Sequence, residues 1–419
     1  MSLIRLVIVV VLAFTAPCAG GDVPDNPELV TLVERALATH PTAEAARAEV
    51  DAARSELSAS RWARFPGVMV ESFADPRSGG DVSTVLSVEQ PLWTGGRIGA
   101  SVRQSRSRLD AALATLDEIR LDLAQRTVLA YVDVLRLRRR ARILEESLQE
   151  HRKLVESMRR RVQQEISPAS DLQLAESRAS QTEIEALQTQ AEAEMALLRL
   201  RELTGDDSLE VAAQLDYRTL PEQQSSPADL LRAALDFNPR ARRVTAEADI
   251  AHAEVALRRS ELLPQLGVRY QHYLSGDSRP DDQLGFVVRV QADGGLSRVA
   301  AINAAKQRER AAALAIDTAN REQQQVVLAA LTDNVAARRR AQAGRDAALA
   351  AKSVTDSFLR QFAAGRRTWP EVLNSVRETV SAELTQIDAE AGAIISSIRL
   401  LLLSGQWQPG QTQFPENNP

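Results

Sequence analysis

The chain has 419 residues, a formal charge of −5, 44 % hydrophobic residues and only 4 % aromatic ones. Ala, Leu, Arg, Glu and Gln dominate, which is the balance of long packed helices and speaks against a compact mixed core. Acidic and basic residues are interspersed, which excludes the basic stripe of a nucleic-acid-binding protein; the runs Arg138-Arg139-Arg140 and Arg338-Arg339-Arg340 read as solvated helix faces.

Residues 1–20 read as a secretory signal, with Arg5 as the positive end, Leu6 to Phe14 as the apolar run and Cys18-Ala19-Gly20 as a small-x-small cleavage site. That run is too short to span a bilayer, and no later segment holds eighteen apolar residues, so no transmembrane helix is expected. Cys18 is the only cysteine. Its loss with the signal leaves neither disulfides nor thiolate metal sites. Thr15-Ala16-Pro17 before it lacks the leucine of a lipid-anchor signal, so lipidation is not expected.

A first structural repeat, 21–226, follows. A short helix from Leu29 to Thr39 meets His40-Pro41, and proline at a first helical position starts a second helix that Phe65-Pro66 stops. The period then changes. Val68, Val70 and Ser72 alternate with Met69, Glu71 and Phe73, and past a turn at 75–80 Val82, Thr84, Leu86 and Val88 alternate with Ser83, Val85, Ser87 and Glu89. This is a β-hairpin over about 67–92.

Gly95-Gly96 leads into a helix over about 97–165. Its apolar residues step by four and three from Leu109 to Val162, broken only at Arg120, Thr127 and His151. A 3.5-residue seam marks left-handed coiled-coil packing, and nearly seventy residues make a rod of about 100 Å. A shorter helix, about 168–203, and a linker complete the unit.

The pattern then recurs over 227–404, before a tail at 405–419. Asn238-Pro239 answers His40-Pro41 and Leu263-Pro264 answers Phe65-Pro66, both at an offset of 198, while Gly294-Gly295 answers Gly95-Gly96 at 199. This is an internal duplication. It predicts a hairpin at about 265–292, an alanine-rich long helix at about 296–363 and a last helix at about 370–403.

Each strand has the length of a tilted membrane strand and one apolar face. Strand edges cannot be left open in lipid, and four strands are too few for a barrel, which needs about eight. The chain is therefore expected to oligomerise. A periplasmic coiled-coil protein without a barrel is the alternative, and release without detergent would distinguish it.

The order helix, hairpin, very long helix, shorter helix, occurring twice, resembles the TolC family of outer-membrane factors. The stretches Pro-Leu-Trp-Thr-Gly-Gly-Arg (91–97) and Phe-Ala-Ala-Gly-Arg-Arg-Thr-Trp-Pro-Glu-Val-Leu-Asn (362–374) carry the likeness. It implies a mainly α protein: a homotrimer whose helices form an α-barrel across the periplasm and whose strands complete a twelve-stranded barrel in the outer-membrane lipid of a Gram-negative bacterium. It also implies a passive, non-enzymatic exit duct without a cofactor, serving tripartite efflux or type I secretion. The partners would be a periplasmic adaptor and an inner-membrane transporter of RND, ABC or MFS type.

By the same resemblance, Gln164, Glu165 and Ile166, with Ala364, Gly365 and Arg366, form two periplasmic tips that touch the adaptor. Arg367 and Asp171 match a gate latch in which Phe362 replaces a tyrosine. Glu371 and Asn374 match the pore constriction, where three copies of Glu371 would attract cations. Three points bear on this, the first a departure from the family's pattern. Glu165 stands where the family usually has glycine, at a position that disfavours other residues if φ is positive. Thr368-x-x-Glu371 is a helix capping box, so capping and pore lining both stand open for Glu371. Asp171 is likewise favoured in a first helical turn. Trp93 reads as an interfacial girdle residue or as packing.

Nothing supports catalysis. His40, His151, His252 and His272 lack metal-ligand spacing, and no nucleophile elbow or phosphate loop occurs.

Overall fold

Among the described residues, twelve elements run in two matching sets of six. The structure is a computed structural model that describes residues 26–74, 82–212, 226–275, 282–290 and 297–410. The signal segment with Cys18, the turn at 75–80, Gly294-Gly295, the linker at 213–225 and the tail from 411 lie outside the described residues.

The first set comprises α1 (Pro27–Thr39), α2 (Pro41–Trp62), β1 (Gly67–Ala74), β2 (Val82–Trp93), α3 (Arg97–Gln163) and α4 (Ala169–Thr204). The second comprises α5 (Pro227–Phe237), α6 (Pro239–Ser260), β3 (Gln265–Ser275), β4 (Gln283–Arg289), α7 (Ser297–Ala363) and α8 (Trp369–Leu403). Helix starts follow their caps. α1 begins two residues before the expected Leu29 because Asn26 Oδ1 accepts the Leu29 N–H at 3.1 Å and Pro27 occupies the first turn. His40 Nδ1 accepts the Thr42 N–H at 3.2 Å, and Asn238 Oδ1 accepts that of Ala241 at 3.1 Å, so the duplication extends to the caps.

α3 and α7 have 67 residues each, rods of about 100 Å. α3 packs along α4, and α7 along α8, while α8 also crosses to α3 and joins the two pairs. The seam of α3 is buried at Leu116, Leu123, Val134, Leu144, Leu148, Val155 and Met158. At about 1.5–3 kcal/mol for each large side chain removed from water, this seam dominates the helix's stability. Its polar interruptions are resolved differently. Thr127 is buried and donates to the Leu123 carbonyl at 2.8 Å, Arg120 pairs with Asp117 at 3.3 Å, and His151 stays in the core. The main core gathers Leu32 and Val33 of α1, Tyr131 of α3, Leu200 of α4 and Ile387 of α8.

The strands form one antiparallel sheet in the order β1-β2-β3-β4. Directly paired residues share a face. One row runs Val68, Val88, Tyr270, Leu284, and another includes Gln90, Val268 and Phe286. This face is bare: Leu284 is 74 % and Phe286 77 % exposed. The opposite face carries the row Gly67, Glu89, Arg269, Gly285. Among the described residues β1 pairs only with β2 and β4 only with β3, so both outer edges of the sheet are open there. Among the described residues no helix is long and apolar enough to cross a membrane.

Candidate functional site: the helix tips and the mouth

Both long helices end in the same hydrogen-bonded turn. At the end of α3, Ile166 N–H donates to the Arg161 carbonyl at 2.9 Å and Glu165 N–H to Val162 at 3.0 Å. At the end of α7, Arg366 donates to Gln361 at 2.9 Å and Gly365 to Phe362 at 2.9 Å. This is the Schellman pattern, which needs a left-handed residue just past the helix. Gly365 supplies it at φ 73°, and Glu165 adopts it at φ 62°, the one non-glycine residue with positive φ among the described residues. The two bonds thus hold Glu165 in a conformation that costs an L-residue roughly 1–2 kcal/mol. Glu165→Gly is accordingly expected to stabilise the protein by about 1 kcal/mol, read as a higher thermal unfolding midpoint. Gln164, Glu165, Ile166, Ala364, Gly365 and Arg366 are all exposed.

The segment after each tip turns back into a short helix, and Trp369 knits the two returns together. It is buried among Val155, Met158, Ala175, Val372 and Leu373, and its Nε1 donates to the Asp171 backbone carbonyl at 3.2 Å. Phe362 lies 5.2 Å from the Trp369 ring, and the Arg161 guanidinium sits 4.8 Å from the Phe362 ring centre. A tyrosine hydroxyl is absent here, and the ring serves by stacking.

Arg367 and Asp171 do not meet through their side chains within one chain. Arg367 pairs with Glu371 at 2.6 Å, bonds Gln361 Oε1 at 3.3 Å and stacks 4.2 Å from the Phe358 ring centre. The reason is spacing: Arg367 and Glu371 lie four apart across the start of α8, so their charges close locally.

Glu371 forms the capping box. Its Oε2 accepts from both the N–H and the hydroxyl of Thr368, each at 2.8 Å. Those two bonds, then Arg367, lower its pKa to about 2. A depressed carboxylate pKa stabilises above the unfolded value and stops doing so as pH falls through the folded one. Relative to Glu371→Gln, which can cap but not pair with Arg367, the wild type should lose its advantage between pH 4.5 and about 2. Acid titration of α8 hydrogen exchange would check this; a difference that persists unchanged at pH 2 would contradict it. The bare negative charge expected at Glu371 is thus answered by Arg367. Asn374, one turn on, is exposed and uncharged.

The sheet holds a second polar cluster that reading by motif missed. Arg269 bonds Glu89 through Nε at 3.1 Å and through a terminal nitrogen at 2.6 Å, and Arg289 reaches the same carboxylate at 3.2 Å. The signal was available, since all three occupy the polar face positions of alternating strands. Trp93, at the end of β2, is 48 % exposed, which sets it apart from core packing.

Residues 32–206 match the model of the family described as outer membrane efflux protein. The chain is 24 % identical over 345 residues to the outer membrane efflux protein BepC of Brucella suis biovar 1 (strain 1330), covering 80 % of this chain and 74 % of that protein. Its fold is similar to that of CusC, with a TM-score of 0.80, 16 % identity and coverage of 91 % of this chain and 92 % of that one. It is also similar to VceC of Vibrio cholerae, with a TM-score of 0.78, 17 % identity and coverage of 90 % and 96 %.

Proposed function

From the match of residues 32–206 to the outer membrane efflux protein family, we propose that the chain is a homotrimeric exit duct of that kind, with its sheet in the outer membrane and its long helices across the periplasm. The observation that carries this reading is the sheet itself: four strands, one apolar face uncovered and both edges open. Lipid does not tolerate an open edge. Four strands from each of three copies reach twelve, above the roughly eight that closure needs.

The helices support the same assembly. On α7, Leu314, Leu328, Val335 and Leu349 are exposed at multiples of seven, and on α4 Ile184, Leu187, Met195 and Leu198 form a second uncovered stripe. These are coiled-coil seams without a partner in the chain. A neighbouring copy would cover them.

In this reading the tips 164–166 and 364–366 meet a periplasmic adaptor, which links the duct to an inner-membrane transporter of RND, ABC or MFS type. Asn374 and the Glu371–Arg367 pairs line the mouth. The Glu371–Arg367 pairs leave that mouth close to neutral, so trivalent cations from the periplasmic side should block the wild type weakly, and Glu371→Gln, which leaves the Arg367 charge unanswered, should weaken block further. Arg367 and Asp171 would act as a latch only between copies, since their side chains do not pair within one.

The test is the state of the purified protein. It should fractionate with the outer membrane, require detergent for release and behave in mild detergent as a trimer with mixed helix and strand circular dichroism. A monodisperse monomer, or release by salt alone, would favour the barrel-free coiled-coil reading.

A further inference from the structure

A polar trio interrupts the apolar face of the sheet at the end away from the helices. Tyr270 and His272 of β3 share that face with Val88 and Leu86 of β2. Both reach the carboxylate just before β4: the Tyr270 hydroxyl donates to Asp282 Oδ2 at 2.6 Å, and His272 Nδ1 bonds Oδ1. A carboxylate is costly in hydrocarbon, so a lipid-covered sheet ends its apolar band at this level. At the helix end the face reaches the row Trp93, Leu266, Val288. From Leu266 to His272 is about 20 Å of strand, or about 15 Å along the membrane normal at a tilt of about 40°. The apolar band of an outer-membrane barrel is about 25 Å tall. The strands alone therefore fall short by about 10 Å.

Exposed apolar side chains continue past the strands on the helix side. Trp62 is 65 % and Phe65 56 % exposed where α2 turns into β1, their rings 4.9 Å apart, and Leu262 and Leu263 are exposed in the matching turn from α6 into β3. Both turns lie against the last residues of β2. Gln90, on the apolar face, donates from Nε2 to the Arg64 carbonyl at 2.9 Å, and a Cβ on Gly95 would stand 2.6 Å from that of Leu263. α6 packs against both α3 and α7, so Leu262 and Leu263 sit away from the edges where a further copy would join. The charges of the turns are one-sided. Arg61, Arg64 and Arg259 are exposed, and among the described residues none has an ionic or hydrogen-bonded partner for its side chain. The one acid within 60–66 and 258–264, Glu261, pairs with Arg258 at 3.1 Å.

We propose that these two turns form the periplasmic edge of the membrane-embedded surface and dock on anionic phospholipid. Trp62, Phe65, Leu262 and Leu263 enter the boundary between acyl chains and headgroups, the level that suits an indole ring, and carry the apolar band below the strands. Arg61, Arg64 and Arg259 close on lipid phosphates, which complement their charge and fit the planar guanidinium. A neighbouring copy would cover Trp62 and Phe65 at the open edge of the sheet and still leave Leu262, Leu263 and Arg259 bare. Lipid covers all of them and continues the interface that the sheet's apolar face already needs. The proposal rests on the sheet being a membrane barrel, and it states where the bilayer sits on that barrel and which headgroup it prefers.

The test uses the full-length protein in nanodiscs of phosphatidylcholine, with and without one part in three of phosphatidylglycerol. Phosphatidylglycerol should raise the thermal midpoint by several degrees. The triple variant Arg61→Gln, Arg64→Gln, Arg259→Gln should lose most of that rise. It should keep the wild-type midpoint in pure phosphatidylcholine, because these side chains bond nothing in the protein. Depth is read from tryptophan fluorescence. Phosphatidylcholine brominated in its acyl chains should quench the wild type, and Trp62→Phe and Trp93→Phe should each remove a share of that quenching. Trp369 and Trp407, both in the helical core, supply the unquenched remainder. An equal midpoint with and without phosphatidylglycerol, or a full rise in the triple variant, would overturn the headgroup site. Trp62 quenched by iodide and untouched by brominated lipid would place its turn in water, and Trp62 shielded from both would place it under another copy. Either result sinks the docking surface while the barrel stands. A protein that does not enter the nanodisc would instead remove the membrane reading from which the surface follows.

Discussion

Glu390→Ala is expected to destabilise the folded protein by about 3 kcal/mol, the lower end of what breaking a buried ion pair costs. The Glu390 side chain is 5 % exposed and sits on α8 between two arginines, with Arg139 of α3 at 3.0 Å and Arg345 of α7 at 3.3 Å. Gln386 adds a hydrogen bond at 2.9 Å. Three helices from both long-short pairs therefore converge on one carboxylate. Removing it takes away the carboxylate that the two guanidinium groups share. Their partial exposure, 36 % and 26 %, tempers the effect. Replacing all three charges together with Met, Leu and Met should cost far less, because the desolvation of the ions is removed along with their attraction. Thermal unfolding of the single and triple variants would decide it. Equal destabilisation by both would show that packing volume, not charge, matters at this junction.

Gly365→Pro is expected to abolish export while leaving the trimer and its membrane insertion intact. Gly365 needs φ 73°, and proline is held near −65°. Proline also lacks the N–H that Gly365 donates to Phe362 at 2.9 Å. Together these cost about 3 kcal/mol or more, concentrated in an exposed turn far from the sheet and from the main core. Gly365→Ala keeps the N–H and costs roughly 1–2 kcal/mol, so it should impair export only partly. The readouts are export in cells alongside trimer yield from the outer membrane. Normal export by the proline variant would remove the tip from the proposed adaptor contact.

Much of this architecture was readable from residues alone. The seam of α3, the strand alternation and the duplicated His40-Pro41 and Asn238-Pro239 starts are local patterns. Each depends on neighbours within one or two turns, and local geometry enforces them wherever the chain folds. The Thr368–Glu371 capping box belongs to the same class, since its partners lie three residues apart. Glu165 marks the boundary of that class. Its identity argues against positive φ, yet the two turn bonds from Glu165 and Ile166 impose it.

What the sequence determined by itself was therefore the elements, their repeat and the open, one-sided strands that call for further copies. The tertiary structure alone decided the partners of buried polar groups. Nothing around Glu390 announces Arg139, 251 residues away. Nothing around His151 says that its Nδ1 is left unanswered. Periodicity tells which face of a helix is buried; which charge or cavity meets that face depends on how distant helices cross, and a buried charge or dipole gains or loses several kcal/mol on that outcome.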